Sequence, residues 1–131
     1  MKKNGIVNQE LLKVMGSLGH TDRIVVCDVG LPIDKNVERI DLSVTKGVVK
    51  FMDVLKPLLN ELVLEKIILA REIVAKSPAM HQEIVTLTKG IPLELVSHEE
   101  FKKLTKDTKA VIRTGECMAY ANIILQSGVN F

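Results

Sequence analysis

Residues 19–32 read GHTDRIVVCDVGLP, and this stretch predicts a buried β-strand with a turn at each end. The run IVVCD (residues 24–28) is almost continuous in apolar, mostly β-branched side chains, which is typical of a strand covered on both faces. Glycine and proline residues frame it as turn signals. Two polar residues stand eight positions apart at its ends, His20 before the run and Asp28 at its close. These two polar residues are the first candidates for a functional site.

Five further runs of this kind alternate with helical patterns, and they are RIDLS (39–43), LEKIILA (64–70), PLELV (92–96), AVIR (110–113) and NIILQ (122–126). Strands that alternate with helices indicate an α/β domain in which helices cover the faces of a sheet. The sequence therefore predicts a three-layer α/β/α fold with a largely parallel central sheet of about six strands. Residues 1–131 are the length of one domain and are expected to form a single one.

Four helices are predicted from the spacing of apolar residues, in residues 8–19, 51–62, 77–90 and 97–106. The second has the strongest pattern, with apolar side chains at i, i+3, i+4, i+7, i+8 and i+11 along one face. Asn8, Ser77 and Ser97 are the predicted N-caps. Gly19 is the predicted stop of the first helix.

Composition and charge exclude several classes of protein. Lys and Arg total 18 against 16 Asp and Glu, which gives a net charge of +2 with the two signs interspersed. Nucleic-acid-binding surfaces concentrate basic residues, so no nucleic-acid partner is predicted. No apolar stretch approaches the length of a membrane span. Cys27 and Cys117 lie 90 positions apart, which is no disulfide framework, and a reducing cytoplasm is the predicted location.

Polar residues that directly follow predicted strands are the first candidates for a binding site, because ligands of parallel sheets sit beyond the carboxyl ends of the strands. Asp28 closes the first strand, and its carboxylate suits a substrate hydroxyl or the amides of the following turn. His98 follows the fourth strand and opens a helix, where a neutral imidazole either bonds an uncharged ligand or stands exposed. Both alternatives stay open for each residue.

The segment AYAN (residues 119–122) contains the single tyrosine of the chain. Tyr120 and Asn122 alternate, so the two side chains share a face if the segment is extended. A phenol and an amide that point the same way suit a hydroxyl-rich ligand. A strand start with one amphipathic aromatic residue is the competing interpretation.

His20 precedes the first strand, so the carboxyl-end argument does not select it. Histidine titrates near neutral pH, which suits general acid or base catalysis. A histidine that interacts with the free carbonyls of a helix end explains the position as well. Asp22 either orients the imidazole or faces solvent. In an extended chain His20 and Asp28 are about 25 Å apart, so the two can share a small ligand only if the turn folds back or two chains meet.

Motifs for common cofactors are absent from the sequence. The three histidines show no metal-ligand spacing with cysteines or carboxylates, and there is neither a G-x-G-x-x-G nor a P-loop lysine motif. TGECM (residues 114–118) lacks the glycine pattern of a nucleophile elbow, so Cys117 is a weak candidate nucleophile. The sequence therefore supports none of these sites.

The order and spacing of several short motifs resemble the D-ribose pyranase family over the whole chain. The motifs are MKKNGIVN (1–8), GHTD (19–22), DVGLP (28–32), VSHEEFKKLTKD (96–107), AVIRTGE (110–116) and YANIILQSGVNF (120–131). The resemblance implies a cofactor-free isomerase that interconverts the pyranose and furanose forms of D-ribose, with His20 as the catalytic proton donor. It implies as substrate-binding residues Asp28, His98, Tyr120, Ala121 and Asn122. It also implies a homo-oligomer, a decamer of stacked pentameric rings with the sugar site at a subunit boundary.

Two positions depart from that family's pattern. Val29 stands where alanine is usual, and Asp34 stands where a second proline is common. Neither is a matched polar position, so the activity class is unaffected while the fine sugar preference stays open. The related fucose mutarotases differ at Thr21 and at GLP (30–32), where this chain follows the ribose pattern. Two alternatives remain, a mutarotase for a related sugar such as fucose and a non-catalytic ribose-binding accessory module of sugar uptake.

Overall fold

The structure is a computed structural model that describes residues 1–131, and a six-stranded sheet forms its centre. The strands are β1 (Arg23–Cys27), β2 (Glu38–Asp41), β3 (Leu64–Ala70), β4 (Leu93–Val96), β5 (Ala110–Arg113) and β6 (Ile123–Ser127). They lie in the order β2-β5-β1-β6-β3-β4. Strand β6 is antiparallel to β1 and β3, and the other neighbouring pairs are parallel. Five strands therefore run one way, which confirms the predicted, largely parallel sheet.

Strand β1 lies inside the sheet because its side chains are apolar on both faces. Residues 24–27 are completely buried, and β1 pairs with β5 on one side and β6 on the other. The predicted strand boundaries agree with the observed ones to within two residues at every end. The strand boundaries were predictable from the continuous apolar runs, because a buried strand has no polar face to interrupt the run.

Five helices surround the sheet, namely α1 (Gln9–Gly16), α2 (Phe51–Glu61), α3 (Ile73–Lys76), α4 (Pro78–Leu87) and α5 (His98–Thr105). Two predicted caps are confirmed, because Asn8 accepts a hydrogen bond from the amide of Leu11 and Ser97 accepts one from the amide of Glu100. None of the helices combines the length and apolar character that crossing a membrane requires.

Two helix predictions were wrong in detail, and one helix was missed. Helix α1 ends at Gly16, three residues before Gly19, because the Ser17 hydroxyl and amide bond back to the Val14 carbonyl. Ser77 does not cap α4, since its hydroxyl donates to the carbonyl of Ala119 at 2.6 Å. Helix α3 was not predicted, because four residues are too few to show the helical period.

Two apolar clusters lie on opposite faces of the sheet and define three layers. The larger contains 19 buried residues and packs α1, α2, α3 and α4 against one face, which receives Ile24 and Val26 from β1. The smaller contains 8 buried residues and includes Phe101 of α5 with Val25 and Cys27 of β1. This alternation follows the pleat of the strand. The predicted three-layer α/β/α fold is confirmed.

Candidate functional site

The residues predicted to bind a ligand come together where β1 to β5 end and β6 begins, here called the carboxyl edge of the sheet. Asp28 follows β1, and His98 opens the helix after β4. Tyr120 and Asn122 precede β6, and its antiparallel direction brings its first residues to this same edge. These four residues line a pocket of about 290 Å³, with Gly30, Leu31, Pro32 and Ala119. Pockets near this size suit small ligands.

Asp28 and Asn122 bind each other reciprocally inside the pocket. The Asp28 amide donates to Asn122 Oδ1 at 2.9 Å, and Asn122 Nδ2 donates to Asp28 Oδ2 at 3.2 Å. Asp28 Oδ1 also accepts from the amides of Gly30 and Leu31 at 3.0 and 2.9 Å. The turn interpretation of Asp28 is therefore confirmed, and the same carboxylate still lines the pocket.

Burial raises the pKa of Asp28 above the usual value of an aspartate, because desolvation disfavours its charged form. Hydrogen bonds from Gly30, Asn122 and Leu31 oppose this effect, since they stabilise the carboxylate. The outcome is a partly desolvated acceptor whose orientation is fixed by its neighbours. Such a group binds a donor hydroxyl more strongly than a carboxylate in water does.

His98 is held by its main chain and leaves its ring for other contacts. The carboxylate of Glu72 accepts a hydrogen bond from the His98 amide at 2.8 Å. The His98 ring meets the Tyr120 ring edge to face, with centroids 5.0 Å apart and an interplanar angle of 85°. His98 Nδ1 is buried and has no hydrogen-bond partner in the chain. Leaving a buried polar atom unpaired costs about 1–3 kcal/mol, so this ring favours a partner that satisfies Nδ1.

The Tyr-Ala-Asn segment is a turn, so the extended conformation from which a shared face was inferred is not the one observed. Tyr120 has a left-handed backbone, with φ of +62°, and its carbonyl accepts from the Asn122 amide at 2.8 Å. The hydroxyl of Ser77 fixes the preceding carbonyl, that of Ala119. Tyr120 and Asn122 share the pocket through this turn. The Ala121 side chain is completely buried in the larger apolar cluster.

His20 lies at the opposite edge of the sheet, here called the amino edge, where β1 and β3 begin and β6 ends. His20 Nε2 lies 2.8 Å from Glu65 Oε2. Glu65 Oε1 accepts from Gln126 Nε2 at 2.7 Å, and Gln126 Oε1 accepts from Arg23 Nε at 2.8 Å. The four side chains form one hydrogen-bonded row, here called the His20 row.

Asp22 does not orient the imidazole, because its carboxylate is engaged elsewhere. Asp22 Oδ2 accepts from the Gly19 amide at 2.8 Å and lies 3.6 Å from Lys109 Nζ. Glu65, which does contact His20, was missed. It is 45 positions away in sequence, and only the strand order brings β3 near the start of β1. No local signal marks such a pair.

The two edges are separated by the length of β1. Its five residues span about 13 Å at the rise of a β-strand. His20 therefore does not reach the pocket at Asp28 within one chain, and the turn at GHTD does not fold it back. The sequence argument against one small ligand touching both residues in one subunit is confirmed.

The two family departures lie outside the lining of the pocket. The amide of Val29 donates to the backbone carbonyl of Glu116, and the carbonyl of Val29 accepts from Arg113 Nε at 3.1 Å. The carboxylate of Asp34 accepts from the Asn36 amide in an exposed turn. Both residues shape the loop after β1 and leave the lining residues unchanged.

A cavity of about 870 Å³ lies between the N-terminal segment and α2. None of the predicted site residues lines it, and its lining includes Ile6, Leu11 and Pro57. No group of three His, Cys, Asp or Glu side chains is arranged to hold a metal ion. The carboxyl-edge pocket is therefore the candidate ligand site, and the His20 row is the candidate proton-transfer group.

Comparisons with known proteins span the chain almost completely. Residues 1–130 match the sequence pattern of the RbsD / FucU transport protein family. A D-ribose pyranase from Geobacillus thermodenitrificans is 54% identical, over 100% of this chain and 99% of that protein. The structure of Bacillus subtilis RbsD complexed with D-ribose has a TM-score of 0.97 at 50% identity, over 100% of both chains. The fucose mutarotase from Streptococcus pneumoniae, in complex with L-fucose, has a TM-score of 0.78 at 25% identity, over 95% of each chain. The chain belongs to the RbsD / FucU transport protein family.

Proposed function

We propose that residues 1–131 act as one cofactor-free isomerase domain that interconverts the pyranose and furanose forms of D-ribose. The observation that carries this proposal is the chemistry of the carboxyl-edge pocket. A carboxylate, an amide, a phenol and an imidazole line it, and no Lys or Arg does. Phosphate and carboxylate ligands favour a cationic partner, so this lining suits a neutral polyhydroxyl compound. Ribose is favoured by the full-length similarity to proteins named D-ribose pyranase.

The pocket residues have separate roles in this proposal. Asp28 accepts a hydrogen bond from a sugar hydroxyl, and Asn122 holds Asp28 in place while its second Nδ2 hydrogen stays free for the ligand. His98 and Tyr120 contact further hydroxyls, and Ala121 contributes through the main chain of its turn. Orienting a flexible sugar lowers the barrier because the entropy of alignment is already lost on binding.

Ring opening and ring closure each require two proton transfers, and one bond between the anomeric carbon and an oxygen is broken in the first step and formed in the second. Opening the pyranose breaks the bond between the anomeric carbon and the ring oxygen, the ring oxygen gains a proton, and the anomeric hydroxyl loses one as the aldehyde forms. Closing through a different hydroxyl reverses these steps and gives the furanose. His20 delivers the proton to the ring oxygen, and water takes the proton of the anomeric hydroxyl. General acid–base catalysis of this kind typically contributes about 10²–10⁴-fold.

This mechanism needs a second copy of the chain, because His20 and Asp28 lie at opposite edges of one sheet. We propose a homo-oligomer, a decamer of stacked pentamers, in which the carboxyl edge of one chain meets the amino edge of another. Exposed apolar side chains support the association, among them Met118 beside the Tyr-Ala-Asn turn and the terminal Phe131. Both cysteines are free thiols, which supports a reducing compartment, the cytoplasm.

The experiment is magnetisation-exchange NMR on D-ribose with the purified protein. The native protein should accelerate pyranose–furanose exchange, and His20→Ala should remove the acceleration while its circular dichroism stays native. His81→Ala is the matched control, because His81 lies on α4, lines no part of the carboxyl-edge pocket and is not in the His20 row, so it should keep the full rate. Native exchange rates in His20→Ala would refute the assignment of His20.

A sugar-binding module without catalysis is the second candidate, and the transport description of the family favours it. Such a module would bind ribose and leave the exchange rate unchanged. The same NMR experiment with L-fucose tests a mutarotase for a related sugar, which the likeness to the fucose mutarotase favours. If the protein accelerates exchange of L-fucose more than that of D-ribose, L-fucose is the better assignment of the substrate.

A further inference from the structure

The contact between His20 and Glu65 fixes which nitrogen of the imidazole is free. His20 Nε2 faces Glu65 Oε2 at 2.8 Å, and Nδ1 makes no hydrogen bond within the chain. Hydrogen bonds from Gln126 and His20 hold the pKa of Glu65 below its usual value, so the group is an ionised carboxylate at neutral pH. An ionised carboxylate only accepts hydrogen bonds, so Nε2 carries the hydrogen in this contact. Nδ1 is the nitrogen left for another molecule.

The position of Glu65 is fixed by an irregularity of the sheet. In the pairing of β3 with β6, Leu64 lies opposite Ser127 and Lys66 opposite Gln126, so Glu65 is one extra residue in β3. A β-bulge of this kind re-aims a side chain and is frequent beside active sites. Here the bulge coincides with the residue that contacts His20, and Gln126 bonds the other carboxylate oxygen. The carboxylate is thus held on two adjacent strands.

We propose that Glu65 is a positioning residue for proton transfer, which holds the His20 ring by Nε2 so that Nδ1 exchanges the proton with the sugar. This inference rests on the proposed ring-interconverting function. The ring then works through Nδ1 in both directions, as donor when protonated and as acceptor when neutral.

Other charged residues lie near His20 without bonding to its ring. Glu61 lines the same cavity, Asp22 and Arg23 are two and three residues further along the chain, and Lys109 pairs with Asp22. The Glu61 carboxylate shares a cavity with His20 and is engaged by the Ile6 amide at 2.6 Å. Asp22 and Lys109 form their own pair, and Arg23 is held by Gln126. Among the charged groups around the ring, Glu65 is the one within hydrogen-bond distance. Removing its charge therefore isolates this contact.

The test compares Glu65→Gln with the native protein in two measurements. In the first, the tautomer of the neutral His20 ring is read from the NMR shifts of its two nitrogens, with His20→Ala for assignment. The hydrogen should lie on Nε2 in the native protein, whereas Glu65→Gln should populate both tautomers, because an amide side chain offers a donor as well as an acceptor. In the second, the maximal rate of ribose exchange should fall about tenfold with unchanged ribose affinity, because the ring is no longer held in one orientation.

Glu94→Gln is the matched control, because Glu94 is also a paired carboxylate on a strand, with Lys66 as its partner. It should leave both measurements native. An unchanged His20 tautomer in Glu65→Gln, or a hydrogen on Nδ1 of the neutral native ring, would overturn the inference. If the native protein accelerates no sugar exchange, the proposed function fails, and the ring tautomer still decides whether Glu65 positions His20.

Discussion

The two edges of the sheet hold their polar groups in different ways. At the carboxyl edge, Asp28 is bound by backbone amides and by Asn122, whose side chain is buried. At the amino edge, the His20 row consists of contacts between side chains, and the side chains of His20 and Glu65 are 55% and 34% exposed. Folding alone completes the pocket, whereas the His20 row stands open to another molecule. In the proposed mechanism, the binding group is therefore preorganised inside one chain, and the proton-transfer group is completed by a second chain.

Each edge also contains one non-glycine residue with a left-handed backbone. Thr21, with φ of +70°, follows His20, and Tyr120, with φ of +62°, lies in the pocket. The left-handed region costs a non-glycine residue about 1–2 kcal/mol. At Tyr120 the cost is offset by the bond from Asn122 to its carbonyl, and at Thr21 by the bond from its amide to the carbonyl of Ser127. Strain therefore coincides with the positions of the candidate groups.

The largest expected effect comes from two variants, each of which is defective at one edge of the sheet, and from the activity of their mixture. His20→Ala and Tyr120→Ala should each lose about 10²-fold or more of the ribose exchange rate. When the two variants are co-expressed and assemble together, a shared site pairs an intact His20 with an intact Tyr120 in roughly a quarter of random combinations. Mixed particles should recover about that share of the native rate, measured by exchange NMR.

The control for this mixing is His20→Ala co-expressed with the double variant His20→Ala/Tyr120→Ala, which contains no intact His20. It should stay inactive. If the mixture of single variants recovers no more activity than this control, one chain supplies the whole site, and the role given to the amino edge of a second copy is refuted.

An intermediate effect, on stability, should appear when one side-chain amide is removed from each edge. Asn122→Ala removes both hydrogen bonds between Asn122 and the half-buried Asp28 and leaves the Asp28 amide and Oδ2 unpaired, which should lower the free energy of unfolding by about 2–3 kcal/mol. Gln126→Ala removes two contacts near solvent, where water replaces them, and should cost less than about 1 kcal/mol. Urea unfolding at one fixed protein concentration measures both. Equal losses would mean that the edges are built alike.

The fold was largely predictable because its signals are local. The continuous apolar run of β1 and the caps Asn8 and Ser97 each depend on a few neighbouring residues. The reversed direction of β6 was not predictable, since strand direction depends on contacts across the sheet. That reversal is what brings the residues before β6 to the carboxyl edge.

The candidate site was predictable only in part. Asp28 and His98 were found because they follow strands, and a general rule places ligands there. Tyr120 and Asn122 were found with a wrong reason, since a left-handed turn and not an extended segment joins them. Glu65 was not found, because a bulge and a contact over 45 positions leave no trace in a local pattern.

The smallest expected effect tests the electrostatics of the carboxyl edge against an exposed carboxylate. Burial raises the pKa of Asp28 in the folded protein, so its stabilising contribution is present at low pH and is lost as pH rises through that pKa. A hydrogen bond from Ser43 lowers the pKa of Asp41, so the Asp41 contribution is present near neutral pH and is lost on acidification.

The two substitutions should therefore change the pH dependence of stability in opposite directions. On acidification the free energy of unfolding should fall more steeply in Asp28→Asn than in the native protein, because an opposing contribution is gone, by less than about 1 kcal/mol from about pH 6 to about pH 3. It should fall less steeply in Asp41→Asn. Urea unfolding across this pH range at constant protein concentration measures both slopes. Slopes that change in the same direction would mean that Asp28 is as well solvated as Asp41, and that the pocket does not desolvate the carboxylate that it presents to the sugar.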